Sequence, residues 1–309
     1  MADVDTPVIV GPTGIGKTAV ALALAVFWPL EVISADSRQV YRTLDVVTAK
    51  PTARERQRVP HHLIDLIRPG ERFSAGRFAV EAAETIGAVR ARGHLPVVVG
   101  GSGLYVKALV EGLFAEPPLD RPRRDAVTAV TGAMDHATLV RWAARLDPGR
   151  GLASGGRHRA ARTIEIALLT GHSLSWWHRT AAVGGQVKPW IVRLTAPRAV
   201  LHQRIEARTH EMVRRGVVEE VAAALADGAP NDGPGMDGVG VREAVAVLHG
   251  TLPRERLAEA ITTATRQYAK RQETWFRHQL GPNVLTLDAT RPPEHVAAEI
   301  AAAWKAAAA

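Results

Sequence analysis

An α/β fold, with a parallel sheet as its core and a helical insertion, is what this sequence predicts. Three observations lead there. A short apolar run, Thr6–Val10, enters a glycine loop and then a helical run over residues 19–27. Strand-length apolar runs recur at 30–33, 63–66 and 95–99, with helical periodicity between them, notably over 73–92. Such alternation needs right-handed crossovers and therefore parallel strands. From residue 120 to about 180 the pattern is helical, and strand character returns at Pro189–Thr195.

The first loop carries the most specific signal. Gly11, Pro12, Thr13, Gly14, Ile15, Gly16, Lys17 and Thr18 spell GxxxxGK[ST] between a strand and a helix, the context that motif requires. Its glycines let successive backbone N–H groups turn inward around phosphate oxygens. The helix N-terminus adds partial positive charge. Lys17 brings a mobile full charge, and Thr18 can ligate Mg²⁺. The core is therefore P-loop NTPase-like, and its ligand carries a di- or triphosphate. The loop does not distinguish ATP from a pyrophosphate on another carbon skeleton.

The second strand runs into VISADSRQVY, residues 32–41, and puts Asp36 at its end. Side chains that act in parallel sheets gather at the carboxyl ends of strands. One strand after the loop, an acid faces the transferable group and can take a proton from the attacking atom. The same carboxylate can cap a helix starting near Ser37. Ser37, Arg38 and Gln39 are then candidates for reading an acceptor, since a Gln amide pairs with an adenine edge. After the run at 95–99 come Gly100, Gly101, Ser102, Gly103 and Leu104, which lack the last glycine of a nucleophile elbow. These glycines are expected to let a ligand approach the backbone, or to form an ordinary turn.

Composition changes near Glu116, Pro117 and Pro118, so the core is expected over 1–117 and 188–309 and the insertion over 118–187. The second part of the core should hold helices at 197–215, 217–226 and 253–280 and a strand near 283–287. Residues 231–240 are glycine-rich and read as a mobile loop, and an alanine-rich helix starts at Pro293.

With 309 residues and 46% apolar content the chain can bury a sizeable core. No window approaches ~18 unbroken apolar residues, so no membrane span is expected. The start, MADVDTPVIV, has no basic n-region and does not read as a secretory signal. The absence of cysteine excludes disulfides, thiolate metal sites and cysteine nucleophiles. The twelve histidines form no HExxH and no ligand cluster, so no zinc site is expected. A cytoplasmic monomer is the simplest expectation.

A formal charge of +8 favours a polyanionic partner such as nucleic acid. The cations cluster: Arg121, Arg123 and Arg124; Arg157, His158, Arg159 and Arg162; Arg204 with Arg208. In ATRQYAKRQETWFRH, residues 264–278, Tyr268, Trp275 and Phe276 share an apolar stripe flanked by Arg266, Lys270 and Arg271. Such a helix packs its aromatics inward and offers cations to phosphates.

Together the motifs GPTGIGKT, ISADSRQVYR, TAKP, PHHLID, VVGGSGLYVKAL and ATRQYAKRQETWF, in this order over residues 11–276, resemble the bacterial tRNA dimethylallyltransferases. The resemblance implies transfer of a dimethylallyl group from dimethylallyl diphosphate to N6 of the adenosine at tRNA position 37, beside the anticodon. It implies a need for Mg²⁺, and a base flipped into a channel from the side opposite the donor. By the same resemblance Asp36 is the general base, and Lys17 and Arg208 stabilise the leaving pyrophosphate. Thr18 helps hold metal and diphosphate. Ser37, Arg38, Gln39, Ser102 and Arg124 fall where the family contacts the tRNA anticodon stem-loop, and His158, Arg159, Arg162, Arg266, Lys270 and Arg271 are further candidates for it.

The chain departs from the family pattern in three places. Thr43 and Val47 stand where a glycine is usual, Gly155 and Gly156 where Asn-Asp is usual, and Val241 where Tyr is usual. These bear on tRNA docking and leave the phosphate chemistry intact. A small-molecule kinase, an isopentenyltransferase acting on free adenine nucleotides and a non-catalytic RNA-binding protein are the other readings of the same residues.

Overall fold

The computed structural model describes residues 5–113, 119–150, 156–180 and 185–308. The composition change at 116–118 and Gly155 lie outside these. The chain forms two compact units, Met1–Val110 with Gln186–Ala309, and Glu111–Gly185.

The first unit is built on six parallel strands, β1 (Thr6–Val10), β2 (Leu30–Ala35), β3 (His61–His62), β4 (Leu95–Gly100), β5 (Pro189–Thr195) and β6 (Val284–Asp288). Their order is β3-β2-β4-β1-β5-β6. Around them lie α1 (Lys17–Leu24), α2 (Ala53–Arg58), α3 (Ala75–Ala91) and α4 (Gly103–Val110). The second unit holds α5 (Arg121–Ala133), α6 (His136–Leu146), α7 (Gly156–Thr170) and α8 (Leu174–Thr180). The first unit resumes with α9 (Arg198–Arg214), α10 (Val217–Ala226), α11 (Val241–Leu248), α12 (Leu257–Gln279) and α13 (Pro293–Ala308).

Central strands buried on both faces explain why the apolar runs are continuous rather than alternating. Ile9, Val97, Val99, Val192 and Leu194 pack with Val20, Ala21 and Leu24 of α1 and with Val296, Ala297 and Ile300 of α13. The alanine-rich tail is thus a core helix. In the second unit Leu139 and Ala143 of α6 meet Ala160 and Ile164 of α7. The carboxylates of Asp120 and Asp135 accept the N–H groups of Arg123 and Thr138, both at 2.9 Å, and start α5 and α6. No strand occurs there among the described residues.

Three expectations need correction. The third strand is His61–His62, not 63–66, because Leu63 and Asp65 both take a φ of 60° and bend the chain. That bend aims the Asp65 carboxylate at Lys50 (2.5 Å) and Arg56 (2.8 Å). No helix starts near Ser37; residues 37–40 form a turn. The segment 231–240 is packed rather than free: Gly235 N–H donates to Pro69 O at 2.8 Å, Gly233 N–H to Pro230 O at 2.8 Å, and Met236 is buried.

Away from the loops, near the start of β2, the carboxylate of Glu31 is buried and takes hydrogen bonds from Arg92 (2.6 and 3.0 Å), His62 (2.5 Å) and His94 (2.8 Å). The Arg92 hydrogen bonds, against the cost of burial and with help from both histidines, hold its pKa at about 2 instead of 4.5. A depressed carboxyl contributes stability above its unfolded pKa and loses it as pH falls. Thermal unfolding should therefore show a loss between pH 4.5 and about 2. Glu31→Gln should flatten that limb and cost about 2 kcal/mol at pH 7. An unchanged acid limb in the variant would show that these contacts do not anchor the strand.

Candidate active site at the carboxyl edge of the sheet

Strand register decides which loops meet. Val10 of β1 and Ala35 of β2 both pair with Gly100 of β4. The glycine loop, Asp36 and Gly101 therefore leave the sheet side by side.

In the loop, Lys17 Nζ donates to Gly11 O (2.8 Å) and Pro12 O (2.9 Å). Arg204 Nη1 donates to Ile15 O at 3.0 Å. Burial lowers the Lys17 pKa to about 8, with Asp36 opposing and Arg208 adding to the fall. Arg208, on α9, is likewise held below its ordinary value by burial, opposed by Asp36. Two cations thus crowd one carboxylate, so bringing in an anion relieves repulsion.

Asp36 Oδ1 accepts Arg38 N–H at 2.9 Å, which fixes its direction. Ser102 Oγ accepts Ser37 N–H at 2.9 Å and donates to Ser37 Oγ at 3.1 Å. Ser102 N–H in turn donates to Ala35 O at 3.1 Å. The two serines pin the residues flanking Asp36.

Asp36 lines two cavities. A small one, about 40 Å³, is walled by Lys17, Thr18, Ser34, Gln39 and His61. A larger one, about 170 Å³, is walled by Thr13, Arg38, Arg208, Tyr268 and Arg271, with Val47, Met212, Val241 and Ile261 supplying apolar surface. Burial, with Asp36 nearby, raises the Tyr268 phenol to about 12, keeping it a neutral hydrogen-bonding group.

The structure places the remaining sequence-predicted residues as follows. Gln39 faces the small cavity with both ends engaged: Oε1 accepts from Ser34 Oγ (2.9 Å) and Nε2 donates to Ala49 O (3.3 Å). Arg38 also donates to Pro234 O (2.9 Å) and pairs with Asp237. Arg266 pairs with Glu206 at 2.8 Å, Lys270 is exposed, and Arg271 lies 5.7 Å from the Tyr268 ring centre. In the second unit His158 and Arg159 are exposed on α7, while Arg124 (2.5 Å) and Arg162 (2.9 Å) both pair with Glu165.

The departures also find places. Thr43 sits at φ 64°, a left-handed position that glycine fills without strain. Val47 and Val241 share the wall of the larger cavity. Glu220 of α10 holds the Val47 segment by accepting the N–H groups of Asp45 (2.7 Å), Val46 (2.7 Å) and Val47 (2.9 Å). Gly156 opens α7.

Of the glycines that follow the run 95–99, Gly100 lines the small cavity, while Gly101 and Gly103 make room for α12 rather than for a ligand. A Cβ on Gly101 would fall 2.4 Å from Gln272 Nε2, and one on Gly103 would fall 2.4 Å from the Trp275 ring. They let α12 press on the sheet edge. Gly103→Ala should accordingly cost about 1–3 kcal/mol through overpacking, read as a lower Tm; an unshifted Tm would contradict this packing. Gln272 and the cavity-wall role of Tyr268 were missed from sequence, although both lie in the basic stretch, and Gln272 stands beside Arg271.

Among the described residues no group of three or more His, Cys, Asp or Glu gathers to hold a metal. Thr18 and Asp36 on the small cavity suit a Mg²⁺ that takes most of its ligands from phosphate and water, as that ion prefers.

Comparison with known proteins places the chain among a set of similar proteins. The family described as IPP transferase matches residues 39–279. A protein of Desulfovibrio desulfuricans named tRNA dimethylallyltransferase is 38% identical over 303 residues, covering 96% of this chain and 90% of its own length. One of the same name from Phenylobacterium zucineum is 42% identical over 275 residues, covering 88% and 89%. The crystal structure of the full-length tRNA isopentenylpyrophosphate transferase of Bacillus halodurans superposes with a TM-score of 0.72 at 33% identity, covering 98% of this chain and 96% of that one. A eukaryotic dimethylallyltransferase, solved acting on tRNA, gives a TM-score of 0.75 at 27% identity, covering 92% and 74%.

Proposed function

The chain belongs to the IPP transferase family, and from that premise we propose that it moves a dimethylallyl group from dimethylallyl diphosphate to N6 of adenosine 37, beside the anticodon of tRNA, releasing pyrophosphate. It is a transferase that modifies tRNA. The observation that carries the mechanism is that Asp36 lines both the cavity beside Lys17 and Thr18 and the larger one beside Tyr268. Donor and acceptor have separate approaches to one carboxylate.

Adenine N6 is a poor nucleophile because its lone pair is delocalised into the ring. As N6 attacks C1 of the donor, the C1–O bond breaks and its electron pair leaves on pyrophosphate. The N6 proton passes to the Asp36 carboxylate, which acts as general base. Lys17, Arg208 and the loop N–H groups of Gly14, Gly16, Lys17 and Thr18 face the charge that develops on the leaving oxygens. Thr18 would help hold Mg²⁺, which adds charge neutralisation on the diphosphate. The apolar wall of Val47, Met212, Val241 and Ile261 keeps water from competing for C1.

Nucleoside mass spectrometry of tRNA incubated with the protein, dimethylallyl diphosphate and Mg²⁺ tests this. The expected product is an adenosine heavier by one C5H8 unit at position 37. Unmodified tRNA alongside phosphate transfer from ATP would indicate a kinase. Prenylation of AMP in preference to the stem-loop would indicate the free-nucleotide enzyme.

A further inference from the structure

We propose that Gln272 is a positioning residue for the diphosphate cradle, locking the loop at Thr13 to the β4–α4 connection through a single side-chain amide. This rests on the reading that residues 11–18 bind diphosphate. Gln272 lies on α12 and is only 7% exposed. Its Oε1 accepts Thr13 N–H at 2.8 Å, and its Nε2 donates to Gly101 O at 2.9 Å.

The chemistry fits this role closely. A neutral amide presents an acceptor and a donor side by side; a carboxylate presents acceptors alone. Flipping the amide would set N–H against N–H and oxygen against oxygen, so its partners dictate its orientation. The missing Cβ of Gly101 gives the amide its place, and that same Cβ would lie 3.4 Å from Gly11 O. Gly11 O and Pro12 O are the acceptors of Lys17. The amide therefore grips the loop next to the carbonyls that hold the catalytic cation. It also seats α12, whose Arg271 and Tyr268 wall the larger cavity. Gln272 lines neither of the two cavities that Asp36 lines; it acts through the loop.

The test uses the full chain with inorganic pyrophosphate as probe, titrated by calorimetry, and steady-state assays with dimethylallyl diphosphate. Gln272→Met keeps the length and loses both hydrogen bonds. It should weaken pyrophosphate about tenfold, one to two hydrogen bonds' net worth, and raise KM for the donor more than it lowers kcat. RNA stem-loop affinity should fall by a smaller factor than pyrophosphate affinity, because the hydrogen bond to Thr13 acts on the loop alone. Gln272→Glu should be weakened at pH 8, where its carboxylate opposes Gly101 O. It should recover as pH falls toward 5, because a protonated carboxyl gives O–H to Gly101 and accepts from Thr13. Each affinity is taken as a ratio to wild type at the same pH, so pyrophosphate ionisation cancels. Should Gln272→Met fail to fold, the acid recovery of Gln272→Glu decides alone. Variants with wild-type affinity, or a Glu variant whose deficit does not change with pH, would overturn the role of Gln272. Wild-type protein that does not bind pyrophosphate would instead overturn the diphosphate reading, and this inference with it.

Discussion

Asp36→Ala is expected to slow prenyl transfer by about 10³-fold, within the usual worth of a positioned general base, while stem-loop affinity stays within about twofold. The separation follows from placement. Asp36 sits where the two cavities meet, half-buried, and with the carboxylate gone Ser37 N–H is still held by Ser102 Oγ and the Arg38 side chain by Pro234 O. Removing the carboxylate leaves the loop and the basic face of α12 in place. It deletes the group that accepts the N6 proton. Asp36→Asn should be almost as slow, because an amide fills the same volume and accepts no proton at neutral pH. Single-turnover transfer with saturating RNA separates the chemical step from binding. A variant that transfers at the wild-type rate would remove Asp36 from the mechanism.

Lys17→Met should lower kcat/KM for the donor by about 10²–10³-fold, as loss of a charge aimed at a leaving group does. Its pH dependence gives a sharper signature. With its pKa lowered to about 8, Lys17 is charged below that pH and neutral above it in the free protein. The charged form attracts diphosphate, so donor affinity should be level from about pH 7, where the diphosphate is ionised, to pH 8 and fall as pH rises above 8. Bound diphosphate favours the charged form, so donor binding above pH 8 should take up a proton, measurable as a buffer-dependent heat. Lys17→Met should show weak affinity with no such limb. A wild-type affinity independent of pH from 7 to 10 would contradict the placement of Lys17 against the diphosphate.

Local features of the sequence gave away most of the site. Strand, glycine loop and helix are consecutive, so the cradle could be read from one stretch, and the end of β2 placed Asp36 at the same edge. What failed was whatever depended on distant packing. The run 63–66 looked like a strand, yet left-handed backbone at Leu63 and Asp65 turns it into a bend that buries Leu63 and Ile64. The glycines after β4 correctly signalled a close approach; what approaches them is Gln272 and Trp275, about 170 residues downstream. Gln272 itself was invisible because it stands among solvated cations and its partner Thr13 is 259 residues away. Residues 231–240 looked free because glycine content says nothing of the Pro69 carbonyl that holds them.

The most direct test is a crystal structure of the protein with an unreactive thio analogue of dimethylallyl diphosphate and an anticodon stem-loop. The diphosphate is expected on the N–H groups of Gly14, Gly16, Lys17 and Thr18, adenine in the cavity beside Tyr268, and N6 within about 2.6–3.2 Å of the Asp36 carboxylate. A base held elsewhere, or an Asp36 carboxylate turned away from both ligands, would contradict it.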